Sequence, residues 1–436
     1  MIKYREADAQ RYMPQDGSES TVESAEREEH RSPFATRSAE ERVTVIPHRV
    51  GSSMTRPLQA EARSGHSVSG PGDGSGDSTG TIPRRKPKRA PLVKWDRRKF
   101  ALKVRLTRTS GWRLLVQAGF LLLCLYLGAL FIQYVEAAKN TTSGPLPVKP
   151  PGVEGFLPIS GLMGLLDWIY QGTLNRIHPA ATILFILFVG LSLIMRKSFC
   201  GWICPVGFFS ENLARLGRIL FKRNFLMPTW LDVFLRSIKY LILGFFVWAI
   251  FNMTPTMLDA FIQSPYNKVS DIKMLEFFLR LSKVGAIVIV VLLIGSVFIN
   301  GFWCRYMCPY GALMGLFSWT SPVKVRRDPV SCTDCGLCDK ACPARLPVMS
   351  KLKITSPECI GCSDCVTSCP VPTALWMGTP KRKIDARRMA LVISLVFVLG
   401  VVGARFAGWW HSDLQDDEIR IHVARMHSDE YGHPGR

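Results

Sequence analysis

Five blocks of the chain are apolar on every side rather than striped: residues 114–135, 180–195, 233–251, 284–302 and 389–409. A bilayer core takes roughly 20 apolar residues in helical form, so each block predicts a membrane span. The block 180–195 is the shortest, and Pro179 and Arg196 bracket it as a helix start and an interfacial anchor. A further apolar piece, 159–170, is too short to cross and predicts an interfacial or re-entrant segment. Residues 1–83 are polar and include a Gly/Ser-rich run over 64–80. They offer no core to bury, which predicts disorder.

The formal charge of +21 would suggest nucleic acid in a soluble protein, but the basic residues sit beside the apolar blocks. Thirteen Lys/Arg lie in 84–113, six in 196–223 and thirteen in 305–388, against three in 136–176 and four in 252–283. By the positive-inside rule, the N-terminus, the Cys200 loop and residues 323–380 face the cytoplasm and 410–436 lies outside, as in a multi-pass protein of a bacterial inner membrane. Membrane orientation accounts for the charge, and no nucleic-acid partner is expected. Within 84–113, Arg97-Arg98-Lys99-Phe100 faintly resembles a twin-arginine export signal, but the strongly apolar spans that follow make it a basic juxtamembrane segment.

Two cysteine runs carry the chemistry: Cys332-x2-Cys335-x2-Cys338-x3-Cys342-Pro343 and Cys359-x2-Cys362-x2-Cys365-x3-Cys369-Pro370. Three thiolates at this spacing can wrap one cubane, while the fourth points toward a second. Structural zinc would call for two pairs rather than a repeated triplet and Cys-Pro. The run resembles a bacterial two-cluster ferredoxin over about forty residues. This implies two [4Fe-4S] clusters with crossed ligation, one on Cys332, Cys335, Cys338 and Cys369, the other on Cys359, Cys362, Cys365 and Cys342. Gly336 and Gly361 lie inside the triplets, where a backbone without Cβ can fold closely round an inorganic core.

A second motif is internally repeated. Phe199-Cys200-Gly-Trp-Ile-Cys204-Pro205 matches Trp303-Cys304-Arg-Tyr-Met-Cys308-Pro309, each following an apolar block. Helical geometry would set each pair on one face, about 6 Å apart between Cα atoms, with the second cysteine at a helix end before its proline. Pseudo-symmetric packing would bring the four thiols together, as metal ligands, as a thiol–disulfide couple or as packing residues. Cys124, inside the first block, reads as a packing residue.

Two C-x3-C-P motifs at the inner ends of spans, followed by two ferredoxin motifs, resemble the NapH-type membrane ferredoxins, a group that includes YccM-like, NosR-like and CcoG-like proteins. The resemblance covers about 114–370 and implies an electron-transfer subunit, rather than a stand-alone enzyme, that in several relatives takes electrons from quinol and passes them to a partner reductase or oxidase complex. The external flavin domain of NosR-like proteins and the immunoglobulin-like domain of CcoG-like proteins have no counterpart in these loops or in 410–436. The expected organisation is α-helical and polytopic: a disordered extension (1–83), a basic segment (84–113), a four-helix membrane domain (114–322), a small α+β two-[4Fe-4S] ferredoxin domain (323–380), a fifth span (386–409) and an external tail (410–436). Two alternatives stand: a copper or other metal reductase or oxidase-assembly factor acting through Cys200, Cys204, Cys304 and Cys308, and a redox-sensing regulator using 1–83.

Weaker signals complete the reading. His411, His422, Met426, His427 and His433 lie in an acidic tail expected to be solvated, with a copper site as the alternative. Glu154, Asp167 and His178 sit where a quinol site would need a proton acceptor, or are simply interfacial. The chain has neither a C-x-x-C-H haem attachment nor a G-x-G-x-x-G run opening a βαβ unit, so neither c-type haem nor a nicotinamide cofactor is expected.

Overall fold

The first apolar block lies in a single helix, α1 (Gly111–Asn140), 30 residues and about 45 Å long at the α-helical rise, more than a bilayer core requires. This computed structural model describes residues 111–140, 143–222, 225 and 227–432; the expectations for 1–83, for 84–110 and for His433 fall outside them. The apolar piece at 159–170 is a helix, α2 (Pro158–Gln171), closed by Gly172 in the left-handed C-cap conformation at φ 75°. It packs on α3 (Pro179–Met195), and small residues set the approach: a Cβ on Gly161 would lie 2.7 Å from the Ala181 carbonyl oxygen. Helix α3 has only 17 residues, yet Ala180, Leu184, Phe188, Leu191 and Met195 are all buried. Its buried face packs against the neighbouring helices, while Ile186, Leu193 and Ile194 lie exposed on the other side, so an apolar sequence on every side suits a helix part packed and part facing an apolar medium.

Helix α4 (Pro205–Phe221) is amphipathic and crosses the later helix that carries Val297 so closely at Gly217 that no side chain fits against Val297. Helix α5 (Thr229–Phe251) is followed by α6 (Pro255–Gln263), then α7 (Ser270–Leu279) and α8 (Lys283–Phe298). The last two bend by 77° at their junction, where the Ser282 hydroxyl accepts from Gly285 N–H and starts the second helix. After α9 (Pro309–Ser318) comes the cysteine-rich unit, and then α10 (Ala386–Phe406). By length and composition α1, α5 and α10 can each cross a membrane, as can the bent α7–α8 pair taken together; α3 is shorter. Of the five expected crossings, three fall on long helices and one on the bent pair, while the fifth, α3, is shorter than a span requires.

The cysteine-rich unit hangs from a two-stranded antiparallel ladder of β1 (Lys324–Arg327) and β2 (Leu375–Gly378), with Val325 opposite Met377 and Arg326 opposite Trp376. Its core is not separate. Val325, Val348, Ile354 and Met377 belong to the same buried cluster as Leu191 and Met195 of α3, so ferredoxin and membrane parts share one interior.

At the opposite end the tail departs from expectation. It forms α11 (Asp416–Arg425), and Ile419, Val423, Met426 and Tyr431 are buried against Phe131, Tyr134 and Val135 of α1. A four-residue apolar spacing, Ile419 to Val423, gives this helix a face to bury, and the acidic residues lie at its N-terminus, where they favour the helix dipole.

Candidate functional site

The ferredoxin cysteines surround two small cavities. Cys332, Cys335, Cys338 and Cys369 line one, and Cys342, Cys359, Cys362 and Cys365 line the other. Both triplets use the same backbone device. Asp334 and Gly336 in the first, and Gly361 and Ser363 in the second, have φ between 51° and 69° at equivalent positions. Such residues turn successive N–H groups inward round an anion, and holding Asp334 and Ser363 there costs about 1–3 kcal/mol each. That strain fits a loop shaped for a bound anionic group. The Leu346 N–H donates to Cys342 Sγ at 3.4 Å, and burial pushes the Cys342 thiol up to about 11, so a metal's charge is what would hold it as thiolate. Cys335 is exposed while Cys362 and Cys365 are buried, making the first set outer and the second inner.

The C-x3-C-P motifs are not α-helical. Phe199–Ile203 and Trp303–Met307 are single π turns, closed by Cys204 N–H donating to Phe199 O at 2.9 Å and Cys308 N–H to Trp303 O at 3.0 Å. The reason is the proline. Pro205 and Pro309 force Cys204 and Cys308 into extended conformation (ψ 120° and 106°), and each turn takes in an extra residue to bond that cysteine's N–H before the next helix begins.

All four thiols line one cavity of about 800 Å³. Its far wall is apolar, with Phe120 of α1, Phe188 of α3 and Phe397 of α10, and Cys124 also faces it. Lys197, Tyr310, Glu211 and Glu358 are among its polar lining groups, and Arg405 of α10 lines it one turn beyond Val401. Burial pushes the Cys200 thiol up to about 11 and Cys204 to about 12. Gly311 N–H donates to Cys308 Sγ at 3.2 Å. Burial raises the Glu358 carboxyl, but Lys197 and Lys239 outweigh it and hold Glu358 below the usual carboxylate range.

The same cavity reaches Pro343, Ala344 and Ile360, neighbours of the inner ligands Cys342 and Cys359. Two sets of contacts fix this junction. From the first repeat, Trp202 donates its indole N–H to Gly361 O at 3.0 Å, and Arg113 bridges Gly201 O at 2.9 Å and Asp364 at 2.9 Å. From the second, Asn300 donates to Pro343 O at 2.9 Å and Arg305 to Ala344 O at 2.8 Å, while Arg305 also pairs with Asp232. A buried ion pair, Lys239 with Glu358 at 2.7 Å, ties α5 to the residue before Cys359. Trp202 and Arg305 lie inside the C-x3-C-P repeats, whereas Arg113, Lys239 and Asp232 belong to no motif and stand out only as charges inside or beside apolar blocks.

Glu154, Asp167 and His178, the residues named as quinol-site proton acceptors or interfacial groups, lie in networks of their own. Glu154 accepts from Ala181 N–H at 3.2 Å and Lys149 at 3.2 Å and stands 3.3 Å from His178, and Lys149 reaches Asp271 at 2.7 Å. Asp167 accepts from Gln171 at 2.6 Å. These are buried structural networks, and none of Glu154, Asp167 or His178 lines the cavity. Among the described residues no three His, Cys, Asp or Glu side chains converge on a single-ion site, in the tail or at the thiols.

Comparison with known proteins bears on the same segments. A family model described as a 4Fe-4S binding domain matches twice, at 177–225 and 282–328, and one described as a 4Fe-4S dicluster domain matches 324–371. YccM of Escherichia coli (strain K12), named for electron transport, is 41% identical over 321 residues, covering 71% of this chain and 89% of its own. The ferredoxin-type protein NapH of Haemophilus influenzae is 25% identical over 215 residues (45% of this chain, 66% of its own), and the regulatory protein NosR of Pseudomonas aeruginosa 28% over 221 residues (48% and 29%). No solved structure matches. With dicluster motifs on a helical membrane frame and a relative of that identity and coverage, the chain belongs to the NapH/YccM-like group of membrane iron-sulfur electron-transfer proteins.

Proposed function

We propose that the protein passes electrons between quinol held in the 800 Å³ cavity and a partner redox protein that meets the outer thiol set. The observation that carries this reading is the order of the parts. An apolar cavity walled by α1, α3 and α10 ends at four thiols and touches the inner ferredoxin set, beyond which the outer set includes the exposed Cys335. Cavities of this size with aromatic walls and few polar groups suit ring-bearing ligands. Bound at the ferredoxin thiols, in the crossed arrangement, two [4Fe-4S] clusters would supply single-electron steps. The chain's own part is positional: Phe120, Phe188 and Phe397 exclude water and hold a ring, and Glu211, paired with Arg113 at 2.6 Å and Arg215 at 2.9 Å, fixes the polar end of the wall. The Lys/Arg asymmetry favours a ferredoxin face on the cytoplasmic side of a bacterial inner membrane.

In proteoliposomes, quinol should reduce the clusters of the wild-type chain, and Val401→Trp, which fills the apolar end of the cavity, should bring that rate to background while dithionite still reduces them. Wild-type rates in Val401→Trp would remove the cavity from the path. Copper reduction at the same four thiols is a second reading, favoured by their convergence on one cavity; copper-dependent oxidation of the clusters, lost in Cys200→Ser, would support it over quinol.

A further inference from the structure

Each match to the 4Fe-4S binding domain contains only two cysteines, Cys200 and Cys204 in 177–225, Cys304 and Cys308 in 282–328. A cubane takes four protein ligands, so neither copy can hold one alone. The structure brings the two copies to one cavity, with all four thiols on its wall. It supplies the surroundings such a centre requires. Both turns present their second cysteine in extended conformation at the start of a proline-initiated helix, and Gly311 N–H already bonds Cys308 Sγ at 3.2 Å. The hydroxyl of Ser210, on the same wall, is buried with no hydrogen-bond partner.

Charge gives the second, independent observation. Lys197 is 3% exposed and lines the cavity among these thiols, yet it makes no hydrogen bond or ion pair among the described residues. Its counter-charge in the protein, the Glu358 carboxylate, is already bonded to Lys239 at 2.7 Å, so two buried ammonium groups share one carboxylate and a further anionic group beside Lys197 would offset the cost of burying it. Four thiolates round a cubane form such a group. A mononuclear ion fits less well, because no three of the donors converge on one point.

We propose that Cys200, Cys204, Cys304 and Cys308 jointly hold a third [4Fe-4S] cluster, shared between the two repeats, with the Lys197 ammonium as its counter-charge. The centre stands between the apolar cavity and the inner ferredoxin set and rests on the electron-transfer reading. Lys197 is a positioning residue that favours the more reduced, more negative state.

The test is metal content of the full chain purified anaerobically in detergent, read without turnover. About twelve irons and twelve acid-labile sulfides per chain are expected, falling to about eight in both Cys200→Ser and Cys304→Ser with the dicluster spectrum intact. Lys197→Gln should keep about twelve irons and lower the midpoint potential of one centre only. About eight irons in the wild type, or an unchanged count in either cysteine variant, overturns the shared site. An unchanged set of potentials in Lys197→Gln overturns the role of Lys197. Because iron is counted without quinol, a failure here leaves the proteoliposome result standing, and the converse holds too.

Discussion

The two C-x3-C-P repeats share a backbone and differ in how they grip the ferredoxin unit. The first grips by shape: Gly201 lies so close to the dicluster loop that a Cβ would sit 2.4 Å from Ile360 O, and Trp202, fully buried, lays its indole on Gly361 O. At the equivalent positions the second carries Arg305 and Tyr306 and grips by charge. Asp232 of α5 accepts from both the Arg305 guanidinium and the Tyr306 hydroxyl, and Arg305 extends to Ala344 O. The thiols are held alike while the anchors diverge. The duplicated part is thus the π turn with its proline, and the residues between the cysteines are free to specialise toward whichever loop they meet.

This contrast can be broken at four points, in descending order of effect. Trp202→Ala removes the largest fully buried side chain and should cost about 3–5 kcal/mol, seen as cluster bleaching at lower temperature in detergent. A drop of under about 1 kcal/mol would mean that the first anchor is not packing. Asp232→Ala strands Arg305 and Tyr306 together; the pair is partly exposed, so the loss should fall near the lower edge of the 3–5 kcal/mol typical of broken buried pairs, at about 3 kcal/mol by the same assay. Gly201→Ala forces the turn off Ile360 O, which is backbone and cannot rotate away. It should cost about 1–3 kcal/mol, and proteolysis near residue 360 should speed up; equal stability would show that the close approach is not needed. Tyr306→Phe deletes one hydrogen bond, worth about 1 kcal/mol, and sharpens the comparison, since an effect as large as that of Asp232→Ala would put the second anchor in the phenol rather than the guanidinium.

What could be read in advance follows the range of the forces. The cysteine runs announced two ligand sets, and Gly336 and Gly361 do adopt positive φ, because cluster-binding loops are local in sequence. Asp334 and Ser363 hold the matching strained positions and carry no such mark, since nothing in an aspartate or serine declares a left-handed backbone. The C-x3-C spacing suggested a helix face; the proline was visible, but the π turn it enforces depends on where the freed N–H can bond. The network around Glu154 and His178 was not legible, because Lys149 and Asp271, which complete it, meet across 122 positions, a pairing no local pattern encodes. The tail was legible in part: Ile419 and Val423 spell out an apolar face that its acidic composition concealed.

The ladder of β1 and β2 has one more implication. Lys324 pairs with Gly378, so the chain leaves the helical frame and returns to it at neighbouring points. A segment whose two ends are already clasped imposes no separation on the helices that flank it, and closing so long a loop is charged against the fold once, at the clasp. The clasp frees α9 and α10 from the length of the insert but not from its surface, since Met314 of α9 and Met389 and Ile393 of α10 pack in one core with Val348 and Ile354 of the insert.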